Sequence, residues 1–202
     1  SIVKNFISNG LYKQNHVVYI NSKTVKINDC DSEEFVWFDI DNLLVILGNI
    51  LEKLENIESI AILVTARTRI GETLSYIEVA CELIKSLCTK GLCSVVFVSS
   101  LAASMVTKTQ GWRYHSEKGA EQAVVRWLAV NYAPTIRVNT LQIYHLEPDI
   151  KNEAYPENPL TIEQIFATVK FLFSSESTAI TAQTITLGTL RGICIEGLSK
   201  YD

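Results

Sequence analysis

An α/β fold with a doubly wound parallel sheet is the class this sequence predicts, and three observations lead there. Apolar strand-like runs alternate with amphipathic helical stretches from one end to the other. The runs at 59–66 and 94–100 are continuously apolar, as strands covered on both faces are. Helix boundaries carry capping residues and glycine stops.

Element by element, "IVKNFISNGLYKQN" puts Ile2, Phe6, Ile7 and Leu11 on one helical face, and "HVVYI" (16–20) follows as a strand with "NSKT" as its exit. "FVWFDI" (35–40) is a second strand. Behind Asp41, which can cap it, "DNLLVILGNILEKLEN" spaces Leu43, Leu47, Ile50, Leu51 and Leu54 as a helix does. "SIAILVTA" (59–66) is a buried strand, "GETLSYIEVACELIKSLCTKG" a helix stopped by Gly91, and "SVVFVSS" (94–100) another buried strand. A helix within 111–134 and the strand "TIRVNTLQI" (135–143) come next. Thr161 and Gln164 form a capping box at the start of "TIEQIFATVKFLF", and "TAQTITLG" is the closing strand. Residues 144–160 are the least structured stretch. With strands and helices alternating, the sheet is expected to be parallel throughout, in one domain over 1–202.

Composition bounds the partners. The 202 residues are 48% hydrophobic and 20% charged, with a net charge of −4 and no basic run, so neither nucleic acid nor an anionic membrane is expected as a partner. Asp39, Asp41, Glu52 and Glu55 interrupt the most apolar stretch, so no bilayer span is expected, and no signal peptide is read at the start. Five cysteines without a CxxC cannot all pair within the chain, which fits reduced thiols in a cytoplasmic protein, most simply as buried apolar filler. His16, His115 and His145 lack metal-ligand spacing, so no metal is expected.

The chemistry-bearing stretch is "GWRYHSEKGAEQAVVRWLAVNYAP" (111–134), where Tyr114 and Lys118 stand four apart. On a helix that spacing puts both on one face, and an ammonium beside a phenol favours the phenolate, which suits acid/base work. The spacing alone is weak, because Tyr19 and Lys23 share it at a strand exit where the geometry fails. Context adds weight. Ser99 and Ser100 end a strand fourteen residues before Tyr114 in the case of Ser100, and ligands meet side chains at strand ends of parallel sheets.

The block "SVVFVSSLAAS…WRYHSEKGAEQAVVRWLAVNYAPTIRVNTLQI" resembles the C-terminal half of the short-chain dehydrogenase/reductase family, where a strand ending in Ser-Ser, a YxxxK helix followed by small residues (here Gly119, Ala120) and an "IRVN" strand occur in this order. The resemblance implies a Rossmann-like sheet. It implies that Ser100 orients a carbonyl or hydroxyl, that Tyr114 is the acid/base, and that Lys118 binds the nicotinamide ribose and supports the tyrosine. "FDIDN" looks like the family's Asp-hydrophobic pair near adenine, mapping to Asp39 and Ile40, and "ITAQTITLG" looks like its closing strand.

Departures from the family pattern fall on the cofactor. "SIVKNF" aligns with the helix after the glycine-rich turn, so the central first strand and its glycines are missing, and either the chain is a fragment or neighbouring strands close the gap. "TART" (65–68) replaces the family's NNAG and puts Arg67 beside the cofactor space, where it would hold a phosphate or an ion-pair partner. No asparagine lies between Asn56 and Asn131, so the helix asparagine that supports the lysine through water is absent. Tyr144 and His145 replace the Pro-Gly that lines the nicotinamide.

Three readings follow. The first is a degenerate relative with an impaired NAD(P) site, a pseudoenzyme serving as a partner or scaffold in a homo- or hetero-oligomer through the helices at 72–90 and 112–131. The second is an NAD(P)H-dependent carbonyl reductase using Ser100, Tyr114 and Lys118 on a small-molecule carbonyl. Asn21, Ser22 and Lys23, with no acid to repel a ribose phosphate, would favour NADP(H) there. The third is non-redox acid/base chemistry by the same three residues. On these readings the cofactor is none or NADP(H), with Asp39, Ile40, Lys118 and Arg67 as its contacts.

Overall fold

The structure, a computed structural model, describes residues 16–21, 24–29, 32–39, 59–65, 77, 80–82, 84–86, 89, 92–106, 110–143 and 160–188. Its strands are β1 (His16–Asn21), β2 (Thr24–Asp29), β3 (Ser32–Asp39), β4 (Ser59–Thr65), β5 (Leu92–Ser100), β6 (Ile136–Ile143) and β7 (Thr184–Leu187). The complete helices among the described residues are α1 (Trp112–Asn131) and α2 (Ile162–Phe173), with 3-10 turns at Leu101–Ala103 and Ser175–Ser177. Helical residues between Ile77 and Ser86 belong to the helix expected over 71–91, and Ile77, Ala80 and Ile84 are its buried positions, at the spacing of one helical face.

One seven-stranded sheet runs in the order β3-β2-β1-β4-β5-β6-β7, and the fold is the α/β, Rossmann-like class that the sequence predicts. The β4, β5, β6 and β7 strands pair parallel in turn, and β1 pairs parallel with β4. A wholly parallel sheet is the expectation that needs correction. The β2 strand is antiparallel to both β1 and β3, so six strands share one direction and β2 alone opposes them. The reason is length. A parallel connection needs a crossover of a dozen or more residues, whereas only two residues separate β1 from β2, and two separate β2 from β3, which permits hairpins alone. Asn21 and Thr24, the ends of "NSKT", expected as a strand exit, are therefore register partners of an antiparallel pair.

The gap at the centre of the sheet is closed. β1 occupies the position beside β4, with His16 to Asn21 registered against Ile60 to Thr65. A neighbouring strand thus takes the place beside β4.

Around β5 and β6 the sheet divides two interiors of different character. Side chains alternate along a strand, so Val96, Val98 and Leu141 face α2, where they pack with Leu160, Ile165, Phe166, Val169 and Leu172. The α2 helix starts as expected: the Thr161 hydroxyl accepts from the Gln164 backbone N–H, and the Gln164 side chain accepts from the Thr161 N–H at 3.0 Å. On the opposite face α1 lays Val125, Leu128 and Ala129 onto the sheet near Val95 and Val138. Toward the C-terminal ends of the strands that second interior turns polar, and the candidate site lies there.

Candidate functional site

β5 is buried from Cys93 to Ser99 and delivers Ser100, half-buried, to the C-terminal edge of the sheet. The Ser100 hydroxyl caps the turn that follows, accepting from the Ala102 backbone N–H at 3.3 Å. The chain returns at Gly111, the N-cap of α1, so the first turn of α1 comes back to the same edge and carries Tyr114. Tyr114 is half-buried, and its ring meets His115 edge-on at 6.5 Å between centroids. One turn along the same face, Lys118 is buried with its Nζ 6.0 Å from the Tyr114 ring centroid, at the outer limit of a cation–π contact.

A residue that the sequence does not single out completes the arrangement. Lys118 Nζ donates to Glu121 Oε2 at 2.8 Å, and the two side chains are 5% and 2% exposed. Inside a fold a charged pair is retained only where both ions are well compensated, and Glu121 is one partner of the Lys118 cation. The signal was available in "KGAE", a lysine and a glutamate three apart, but such pairs usually mark a solvated helix face, and burial is what separates the two cases.

The sheet beneath is equally polar. Gln142 and Ser99 are register partners on β6 and β5, and Thr140 precedes Gln142 on the same face. The Gln142 Oε1 accepts from the Ser104 hydroxyl at 2.7 Å and from the Thr186 hydroxyl at 3.4 Å. From α1, Gln122 Nε2 donates to the Thr184 hydroxyl at 2.9 Å. Three buried atoms in this layer make no hydrogen bond: Ser99 Oγ, Thr140 Oγ1 and Gln142 Nε2.

The other expected contacts are distributed as follows. Asp39 ends β3, the edge strand, at the same end of the sheet as Ser100 but four strand spacings away, roughly 19 Å. Ile40 and Arg67 lie outside the described residues, as do Tyr144, His145 and the stretch from there to Pro159. Among the described residues no three His, Cys, Asp or Glu side chains gather as a metal site would need, and no described helix is long and apolar enough to cross a membrane.

At the end of β1 the arrangement bears on a dinucleotide. In dinucleotide-binding α/β sheets the central strand leads through a glycine turn into a helix, whose N-terminal amides take the pyrophosphate. Here β1 ends at Asn21 and β2 begins at its register partner Thr24, and the two residues between them are too few for a glycine turn and a helix.

A family model described as enoyl-(acyl carrier protein) reductase matches residues 66–188, which is more than half of the chain. Nothing among curated proteins matches it. Of solved structures, a short-chain dehydrogenase family protein from Francisella tularensis subsp. tularensis SCHU S4 superposes with a TM-score of 0.66 at 20% identity, covering 92% of each chain. Thermoplasma acidophilum aldohexose dehydrogenase, in ligand-free form, gives 0.62 at 18% identity over 83% of this chain and 82% of its own. The enoyl-(acyl-carrier-protein) reductase from Anaplasma phagocytophilum, in complex with NAD, gives 0.62 at 17% identity over 81% and 72%. At these identities the superpositions establish the fold.

Proposed function

This chain belongs to the short-chain dehydrogenase/reductase family of oxidoreductases, and on that premise we propose that it keeps the family's architecture without the family's way of holding a dinucleotide, and acts as a partner or scaffold subunit. The observation that carries this reading is the β1–β2 hairpin. A pyrophosphate needs several backbone donors converging on it, and Asn21 paired with Thr24 across a two-residue turn supplies no helix N-terminus at the central strand. The Lys118 charge, held by Glu121 at 2.8 Å, is a second departure at the same ligand.

The assembly part of the reading rests on α1. Trp112, Trp127 and Val130 are 74%, 51% and 74% exposed, and at about 100° per residue they fall within a sector of about 60°. An apolar stripe of that kind is what a second subunit covers, and with the helix at 72–90 it forms the surface through which a homo- or hetero-oligomer would assemble.

One observation favours a second reading, carbonyl reduction with NADP(H): Tyr114 and Lys118 share a helix face 6.0 Å apart at the strand edge where Ser100 ends β5. Tyr114 would protonate the carbonyl oxygen and Ser100 would orient it, the hydride being what the cofactor supplies. Asp39, Ile40, Lys118 and Arg67 would be its contacts.

Titrating NADPH and NADH against the purified chain separates the two. The scaffold reading expects no thermal shift and no change in nicotinamide fluorescence. A stabilisation that grows with nucleotide concentration would replace it with the reductase reading.

A further inference from the structure

The polar layer between α1 and the sheet carries an inference independent of any nucleotide. Three hydrogen-bonding atoms there, Ser99 Oγ, Thr140 Oγ1 and Gln142 Nε2, are without partners, and their residues are 5%, 0% and 0% exposed. Leaving a buried hydroxyl or amide dry is costly, so groups of this kind bind internal water where the surroundings are polar.

The surroundings are polar, and their levels coincide. α1 crosses from β5 to β6, two parallel strands, so it runs opposite to both. Gln122 fixes the alignment, because it donates to Thr184, the register partner of Thr140. Lys118 lies four residues back along α1, about 6 Å. Gln142 lies two residues forward along β6, about 6.6 Å. By that count Lys118 lies at the level of Gln142 and Glu121 near that of Thr140, so the ion pair and the three atoms occupy the same stretch between α1 and the sheet.

We infer that Lys118 and Glu121, together with internal water bound by Ser99, Thr140 and Gln142, form a buried solvated layer that fixes the lysine between α1 and the sheet. Water in that layer supplies further hydrogen bonds to the ions, which is what allows a charged pair to persist inside the fold. The layer gives Lys118 a role in holding α1 that requires no ligand, and so goes beyond the scaffold reading by stating what the lysine does there. Glu121 is its positioning residue.

Thr140→Val tests this, since it exchanges a hydroxyl for a methyl at constant shape. If the hydroxyl is dry, removing it relieves an unsatisfied group and the chain becomes more heat-stable. If it binds bridging water, the melting temperature falls, by roughly 2–4 °C for each hydrogen bond's worth of stability in a chain of this size. A fall is expected, and a rise or no change overturns the inference. The second measurement uses the unsubstituted chain: water-to-protein Overhauser transfer at the Thr140 methyl and the Lys118 ammonium, expected with the sign of long-lived internal water. Its absence overturns the inference even if Thr140→Val does not fold. Neither arm contains a nucleotide, so the outcome is separate from that of the NADPH titration.

Discussion

Arg137, near the N-terminal end of β6, shows how one side chain ties the sheet to the segment that follows α2. It projects from β6 toward α2 and donates to the Leu172, Ser177 and Ile180 carbonyls at 3.2, 2.7 and 3.3 Å and to the Ser177 hydroxyl at 3.1 Å. Burial pushes its guanidinium below the ordinary arginine value, but four acceptors compensate the ion. Arg137→Met should therefore cost about 3 kcal/mol, read as a lower urea midpoint at unchanged slope. Tyr114→Phe is the opposite case. The ring is half-buried and its hydroxyl is not called on by the scaffold reading, so the substitution should change stability by less than about 1 kcal/mol and leave the oligomeric state as it is. Sedimentation and urea denaturation check both, and loss of assembly in Tyr114→Phe would contradict the reading. At this scale the sequence was informative about spacing and silent about burial. The placement of Tyr114 and Lys118 on one helix face and of Ser100 at a strand end was legible because four-residue spacing and a strand end are local. Glu121 was not, because only the packed sheet distinguishes a buried i,i+3 pair from a solvated one. Nor were Thr140 and Gln142, which read as ordinary polar residues in a strand until the face they share with Ser99 is known.

Among elements, α2 and α1 differ in what they leave uncovered. α2 buries Ile165, Phe166, Val169 and Leu172 in its own cluster and leaves Phe171 only 38% exposed, whereas α1 leaves two tryptophans and a valine in solvent. Under the proposed assembly through α1, Trp127→Glu combined with Val130→Glu should therefore yield a monomer without unfolding the chain, because neither side chain lies in the core. Size-exclusion chromatography with circular dichroism reads both quantities, and an unchanged elution volume would exclude α1 as the interface. The helices and the capping box at Thr161 and Gln164 were legible from period and caps. β2 was not. "TVKIND" is short, and its state depends on β1 and β3 bracketing it with two-residue connections, a tertiary circumstance that a single-segment pattern does not carry.

For the whole molecule the informative contrast is between topology and connection. The sheet keeps one strand direction from β1 through β4 to β7, which puts Asn21, Asp39, Thr65, Ser100, Ile143 and Leu187 at one end, as a Rossmann-like sheet does. The alternation of strands and helices over residues 59–188 was enough to predict this. What differs is the connection that leaves the strand beside β4: β1 pairs antiparallel with β2 after two residues, where a dinucleotide-binding sheet runs a crossover through a helix. The pairing of His16–Asn21 with β4 was not legible, because it depends on which strands meet across the sheet and not on a local pattern.

The proposal that this chain lacks the family's way of holding a dinucleotide is met most directly by calorimetric titration of NADPH into the intact chain. The account predicts heats of dilution alone, without saturation, at nucleotide concentrations that fill the site of a typical reductase. A saturable isotherm of micromolar dissociation constant and one-to-one stoichiometry would contradict it.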